Sequence, residues 1–203
     1  MIFRDPLFGI KREFVVNLCE KMISGRLNIR WVCETRLNLL DKDLLKLMHR
    51  AGLRVLNTGI ESADPDVLRK STRQPVDFAH QEEMVKYCDK LGVRVTAFYI
   101  IGLPDDTRDG VLNTIRYACR LNTHVAQFFV HTPFPGTEYF DKVRGAIEES
   151  DWQRFDCYTP VLKHKSMSKE EILRLKEKAF LSYYYRPQYA FSFARRALRD
   201  LLS

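Results

Sequence analysis

Short apolar runs alternate with amphipathic segments along the first two thirds of the chain. The runs occupy residues 29–34, 53–59, 93–101 and 126–132, and residues 1–4 form the end of another. Successive runs lie about thirty to forty residues apart, the spacing of parallel strands joined by helical crossovers. This order predicts an α/β fold built on a parallel sheet, which either stays open or closes into a barrel.

The segments between the runs carry residues that begin and end helices. Phe14, Leu18 and Met22 form a helical stripe after the first run. Residues that favour helix N-termini precede the later segments, namely Asp41, Asp64 with Pro65, Asp77 and Thr107. Gly52 and Gly92 stand where two of these helices are expected to end. We therefore predict a helix between successive strands.

The pattern changes near residue 145. An aromatic, irregular segment follows, and its Trp152, Phe155 and Tyr158 either line a substrate pocket or pack between layers. Ser168 and Glu171 have capping-box spacing, so a long helix is predicted from there to about residue 185. We predict a partial barrel over residues 1–145 and a helical appendage over residues 146–203.

The composition is that of a globular protein with one sizeable core. Of 203 residues, 45% are hydrophobic and 12% are aromatic. No run approaches the roughly 18 apolar residues of a membrane span, and no secretory signal pattern begins the chain. We expect a cytoplasmic location. The five cysteines lie far apart, which agrees with a reducing compartment, and they are Cys19, Cys33, Cys88, Cys119 and Cys157.

The net charge of +7 does not by itself indicate an acidic partner, because basic and acidic residues alternate along most of the chain. The local basic cluster comprises Arg195, Arg196 and Arg199. No aromatic-interleaved groove or nucleic-acid motif accompanies this cluster, so nucleic acid is not an expected partner.

Polar side chains follow the predicted strands. They belong to the segments Arg4-Asp5, Cys33-Glu34-Thr35-Arg36, Gly59-Ile60-Glu61-Ser62, Gly102-Leu103-Pro104-Asp105-Asp106-Thr107 and Pro133-Phe134-Pro135-Gly136-Thr137. Because the carboxyl ends of parallel strands meet at one edge, these groups are expected to lie together. Such groups suit a polar ligand with amines, hydroxyls and a carboxylate. Taken singly, each segment is equally compatible with a tight turn, a rigid loop or a structural ion pair.

The order of these segments resembles the radical S-adenosylmethionine (SAM) superfamily, and within it the cobalamin-associated branch. The resemblance covers residues 1–140 and rests on the segments above, with Phe3 before the first, Trp31 before the second and Ala51-Gly52 before the third. It implies a partial TIM-like (β/α) barrel that surrounds SAM and a [4Fe–4S] cluster. Cobalamin is a further cofactor that the branch suggests.

The resemblance also implies which residues hold SAM, and these are Asp5, Glu34, Glu61, Ser62, Arg73, Ile101 and Gly102. Glu34 and Glu61 would accept hydrogen bonds from the ribose hydroxyls or the amino group, with Ser62 as a further ribose ligand. Arg73 would pair with the SAM carboxylate, or else be a solvated surface residue.

The remaining residues of that set would contact the adenine and the methionyl parts of SAM. Ile101 and Gly102 match the motif that receives adenine, where glycine lets a flat ring approach the main chain closely. Asp5 would lie near the methionyl part, or else cap the turn that follows it.

The sequence departs from the family at the cluster. The family holds its cluster with CxxxCxxC after the first strand, and no three cysteines here have that spacing. We expect the first βα unit to be missing, and Met1 to be an internal start or a gene-model error. Without the cluster the chain alone is expected to be inactive, and to need an amino-terminal part in the same polypeptide or as a separate chain.

Three functions remain open. The first is the carboxyl-terminal portion of an enzyme that generates a 5′-deoxyadenosyl radical from SAM and acts on a small-molecule substrate of unknown identity. The second is a non-catalytic, truncated or degenerate fragment. The third is a barrel hydrolase with Glu34 and Glu61 as acid and base, a scheme that gives the Gly102-Leu103-Pro104 loop no role.

Overall fold

Four parallel strands form the central sheet. The computed structural model describes residues 1–5, 7–71 and 77–202. The strands are β1 (Trp31–Glu34), β2 (Leu53–Glu61), β3 (Arg94–Ile101) and β4 (Val125–Val130), paired side by side in that order. A single parallel bridge joins Ile2 to Val32, so the start of the chain lies along β1.

Helices connect the strands and continue after them. They are α1 (Arg12–Ser24), α2 (Lys42–Arg50), α3 (Pro65–Lys70), α4 (Phe78–Leu91), α5 (Arg108–Leu121), α6 (Glu138–Val143), α7 (Lys169–Tyr184) and α8 (Pro187–Leu202). Short 3₁₀ helices occur at Leu37–Leu39, Arg144–Ala146 and Trp152–Arg154. No helix in the described ranges is both long and apolar enough to cross a membrane.

The predicted capping residues begin their helices in the structure. Asp41 accepts a 2.8 Å hydrogen bond from the Leu44 N–H, and Ser168 accepts one of 3.2 Å from Glu171. The other predicted caps, Asp64, Asp77 and Thr107, make equivalent contacts at the starts of α3, α4 and α5. These local bonds satisfy N–H groups that have no partner inside a helix, so the helix starts are confirmed.

The two faces of the sheet differ in burial. In β3 the alternate residues Val95, Ala97, Tyr99 and Ile101 are buried, whereas Thr96 and its equivalents on the opposite face are half-buried. The buried face belongs to the main core together with apolar residues of the surrounding helices. The carboxyl-terminal edge of the sheet, where the predicted site residues lie, is therefore supported by the core on one face of the sheet.

The segment after β4 builds a small second core and then two helices. Phe140, Phe155 and Val161 form this core, and Trp152 packs on Phe155 with ring centroids 5.0 Å apart. Phe155 is thus a packing residue, whereas Trp152 packs on it and is 63% exposed, and Tyr158 contacts Phe129 of β4. Helix α7 packs against α5 and β4.

Candidate functional site

The carboxyl ends of the strands bring most of the predicted residues to one edge. Glu34 ends β1 and lies beside Asn57 of β2, whereas Glu61 ends β2 and lies beside Tyr99 of β3. On β3, Asn57 lies beside Thr96 and Glu61 beside Tyr99, and these three residues at about 3.3 Å each set Glu61 roughly 10 Å further along the strand direction. The two glutamates are therefore staggered along the edge and are not opposed as a matched acid and base.

Glu61 adopts an unusual backbone conformation at the end of β2. Its φ of +67° lies in the left-handed region, which residues other than glycine seldom occupy. Its carboxylate folds back over Gly59, where an added Cβ would lie 2.5 Å from Oε1. Glycine at position 59 therefore makes room for this half-buried carboxylate at the edge.

Ser62 faces the helices. Its side chain is buried, its Oγ lies 3.3 Å from Oγ1 of Thr114 in α5, and it accepts a 3.1 Å hydrogen bond from the Asp64 N–H. These contacts tie the start of α3 to α5. The predicted ribose contact would require the hydroxyl to leave them.

The other polar residues of the predicted set are open to solvent or lie outside the description. Asp5 is exposed and its Oδ1 accepts a 3.0 Å hydrogen bond from the Leu7 N–H, which is the turn-capping alternative. The side chain of Glu34 is exposed, and its carbonyl accepts a 2.9 Å hydrogen bond from the Phe8 N–H. Arg73 lies outside the described residues.

Gly102 forms a buried turn directly after β3. Its φ of +81° again lies in the left-handed region, which glycine adopts without strain. An added Cβ would lie 3.4 Å from Cδ1 of Ile172. The Ile101 side chain points into the buried face, and its carbonyl accepts a 3.0 Å hydrogen bond from the His131 N–H. The Ile101 carbonyl and the Gly102 N–H are therefore both hydrogen-bonded within the protein at this turn.

Asp106 holds this turn, and the sequence did not predict that role. Its Oδ2 accepts 3.0 Å hydrogen bonds from both the Gly102 and the Leu103 N–H groups. The side chain is buried, and burial raises the pKa of the carboxyl to about 7 even though the two N–H groups favour the charged form. The signal available in the sequence was a carboxylate four residues after a turn-forming glycine.

Residues 164–167 also bind the loop after β3 through hydrogen bonds. His164 donates from Nε2 to the Leu103 carbonyl at 2.8 Å, and its Nδ1 accepts from the Ser166 and Met167 N–H groups at 3.2 Å. This arrangement requires the tautomer with hydrogen on Nε2. Ser166 Oγ also donates to the Asp106 carbonyl at 2.8 Å. These hydrogen bonds from residues 164–167 fix the conformation of the loop after β3.

The family model for the radical SAM superfamily matches residues 4–118. The chain belongs to the radical SAM superfamily. It is 29% identical to an uncharacterized methyltransferase of Pyrococcus horikoshii over 98% of the chain and 46% of the relative. It is 26% identical to the bacteriochlorophyllide d C-12(1)-methyltransferase of Chlorobaculum tepidum, over 84% of the chain and 37% of that enzyme. The chain thus spans less than half the length of these relatives.

A solved radical SAM structure shares the fold. The methyltransferase TsrM from Kitasatospora setae, with cobalamin and a [4Fe–4S] cluster bound, superposes with a TM-score of 0.65 at 20% identity, over 85% of this chain and 36% of TsrM. The resemblance stated from the sequence and the predicted partial parallel barrel with carboxyl-terminal helices are confirmed.

The thiols of this radical SAM chain do not fit a cluster. Burial raises the pKa of Cys33 and Cys88 to about 12 and that of Cys19 to about 11. No three His, Cys, Asp or Glu side chains among residues 1–5, 7–71 and 77–202 are grouped to hold a metal ion. Neutral, buried thiols are poor iron ligands, so Cys19, Cys33 and Cys88 do not fit a cluster as they stand in the described structure.

Proposed function

We propose that this chain binds SAM at the carboxyl edge of its sheet, as part of an enzyme that generates a 5′-deoxyadenosyl radical and acts on a small-molecule substrate. The cluster that supplies the electron would be held by cysteines outside these 203 residues, because the described thiols do not fit it. We also propose a cytoplasmic location.

The observation that carries the proposal is that β2 ends at Glu61 and the adjacent β3 is followed directly by Gly102, both with left-handed backbone. Gly102 has no Cβ and its positive φ turns the backbone at the edge, so a flat ring placed there would meet main chain with no Gly102 side chain between them. Glu61 supplies a carboxylate that can accept hydrogen bonds from hydroxyl or ammonium groups. Adenine would lie against Ile101 and Gly102, and the ribose or amino group would contact Glu61.

The other residues of the proposed SAM site have secondary roles. Glu34, deeper along the edge, would accept a hydrogen bond from the far end of the ligand, and Asp5 would lie beside the methionyl part. Arg73 would pair with the SAM carboxylate. The contribution of Ser62 is proposed to be indirect, because its hydroxyl bonds to Thr114 and the Asp64 backbone.

Calorimetric titration of SAM into the purified chain tests the binding proposal. We expect Glu61→Gln to weaken SAM binding by about tenfold, which corresponds to roughly 1.4 kcal/mol for a charge-assisted hydrogen bond. Glu13→Gln, an exposed change on α1, serves as the control and should leave affinity unchanged. If the folded chain binds no SAM, or both variants bind equally well, the proposed site is wrong.

The catalytic part of the proposal concerns the complete protein. With its cysteine motif present and charged with iron and sulfide, it should consume SAM when a reductant is added. Failure to do so would overturn the radical activity without affecting the binding result.

Two further proposals follow from the relatives. One is that cobalamin takes part, which is supported by the sequence resemblance and by the cobalamin in TsrM. The other is that the amino-terminal part is either continuous with this chain or a separate polypeptide. Purification of the native protein, followed by its mass and absorption spectrum, tests both.

A further inference from the structure

An apolar groove runs along the free edge of β4, away from the proposed SAM edge. It has a volume of about 510 Å³ and lies between the strand and helix α7. This volume falls within the roughly 300–1,000 Å³ of small-molecule sites. None of the residues assigned to SAM lines the groove, so it constitutes a separate site.

The strand edge inside the groove is already occupied at both ends. The Tyr184 hydroxyl donates to the Ala126 carbonyl at 2.8 Å and accepts from the Ala126 N–H at 3.1 Å. The Val130 N–H donates to the Cys157 carbonyl at 2.7 Å. An added peptide strand would have to break these bonds, so the groove suits a compact ligand better than β-strand addition.

Aromatic side chains form the walls. Phe129 and Tyr158 have ring centroids 5.8 Å apart, and Phe180 and Tyr184 have centroids 4.8 Å apart. Phe180 is 52% exposed although it lies on the groove. Walls of this kind favour a flat ring, because stacking on them buries apolar area and adds quadrupole attraction.

One ammonium group lies at the wall of the groove. The Lys176 Nζ is 4.4 Å from the centroid of the Tyr158 ring. Burial lowers the pKa of this ammonium, and the negative charge of Asp156 acts in the opposite direction. A partly desolvated cation next to an apolar surface favours the binding of an anionic group. Glu177 also lines the groove and is exposed, which disfavours ligands with several negative charges.

We propose that this groove binds a flat aromatic carboxylate, with its ring against Phe129, Tyr158 and Phe180 and its carboxylate on Lys176. The shape, the aromatic walls and the single ammonium together select this class. A neutral ring would lack the ion pair, and an aliphatic acid would lack the stacking.

The test titrates 2-naphthoate and the neutral 2-naphthalenemethanol into the chain by calorimetry. We expect saturable naphthoate binding that Lys176→Gln weakens by about tenfold, or roughly 1.4 kcal/mol, with little change for the alcohol. Phe180→Ala should weaken both probes. Lys178→Gln, an exposed lysine on α7 outside the groove, is the matched control and should change neither.

Other outcomes would overturn the proposal. These are the absence of saturable naphthoate binding, equal losses in the Lys176→Gln and Lys178→Gln variants, and a dimer of the chain in size-exclusion chromatography that Phe180→Ala dissociates. The last result would assign the groove to a second copy. Naphthoate binding should survive Glu61→Gln, so failure of the proposed SAM site and failure of the groove site are distinguishable.

Discussion

Two adjacent aspartates on the loop after β3 have opposite environments. Asp105 is partly exposed and pairs with Lys165 at 2.9 Å, whereas Asp106 is buried and accepts from the Gly102 and Leu103 backbone. The sequence pattern treats the two as alike, which is why motif reasoning reached Gly102 and missed Asp106. Only the packing of the 164–167 segment over the loop separates them.

Asp106 should make stability fall as pH rises. Its folded pKa of about 7 exceeds the unfolded value of about 3.9, so the folded state binds the proton more tightly. The extra stability is complete below about pH 4 and is lost by about pH 7, by on the order of 2–4 kcal/mol. Urea unfolding of wild type and Asp106→Asn between pH 4 and 8 should show this as a difference that declines with pH.

The control for this measurement is Asp105→Asn, whose difference from wild type should be small across the same range, because its ion pair is exposed. A constant difference between wild type and Asp106→Asn would show that the Asp106 carboxyl does not take up a proton in this window.

Gly102→Ala should cost stability and SAM affinity together. A Cβ at φ +81° is strained, although its 3.4 Å distance to Ile172 is ordinary van der Waals contact, so we expect a loss of about 1–2 kcal/mol in unfolding free energy. Gly145→Ala is the control, because an added Cβ there meets nothing within 4 Å. Thermal unfolding and SAM titration of both variants check this, and an unaffected Gly102→Ala would remove the turn from the proposed site.

At the scale of elements, helix α8 packs with its polar side inward. Ser192 and Arg196 are buried, whereas Phe191, Leu198 and Leu201 are more than half exposed. Arg196 binds Asp89 at 3.1 Å and the Asn122 carbonyl at 2.8 Å, and Arg195 pairs with Asp89 as well. The basic cluster seen in the sequence thus attaches helix α8 to Asp89 and Asn122.

Asp89→Asn should release α8. Burial disfavours the charged carboxyl, but Arg196, Arg195 and Arg199 outweigh it and lower the pKa of Asp89. Removing the charge leaves buried arginine unpaired, at a cost of roughly 3 kcal/mol. Hydrogen exchange should accelerate in α8 with little change in β3. Asp43→Asn, on the surface of α2, is the control, and equal protection of α8 in both variants would contradict this account.

The sequence predicted the strands but gave no boundaries for this last helix, and there is a physical reason for the difference. Strands β3 and β4 began and ended within a few residues of the predicted limits, because their apolar runs are bounded by Gly92, Gly102 and the Pro133 segment. In α8 the usual pattern is inverted, because Arg196 is buried by its pairing with Asp89 whereas Phe191 and Phe193 are exposed. Hydrophobic periodicity alone would predict that the apolar face of such a helix is buried.

At the scale of the whole molecule, the proposed SAM edge and the thiols are separate features. The edge stands on β2 and β3, while Cys33 and Cys88 are buried in the core and their pKa values of about 12 keep them protonated at neutral pH. Ligation of iron needs thiolates that are accessible and grouped. The described thiols therefore do not supply a cluster site, whereas the proposed SAM site lies elsewhere on the sheet.

We therefore expect the 203-residue chain, incubated anaerobically with iron and sulfide, to bind SAM without acquiring a stoichiometric cluster. Added reductant should then yield no 5′-deoxyadenosine, because no electron reaches the bound SAM. Iron and sulfide analysis, electron paramagnetic resonance and chromatography of the products measure these points. The complete protein under the same conditions is the positive control. Stoichiometric iron with nucleoside release from the chain alone would show that its buried thiols open to hold a cluster, and the assignment of the cluster to other residues would be wrong.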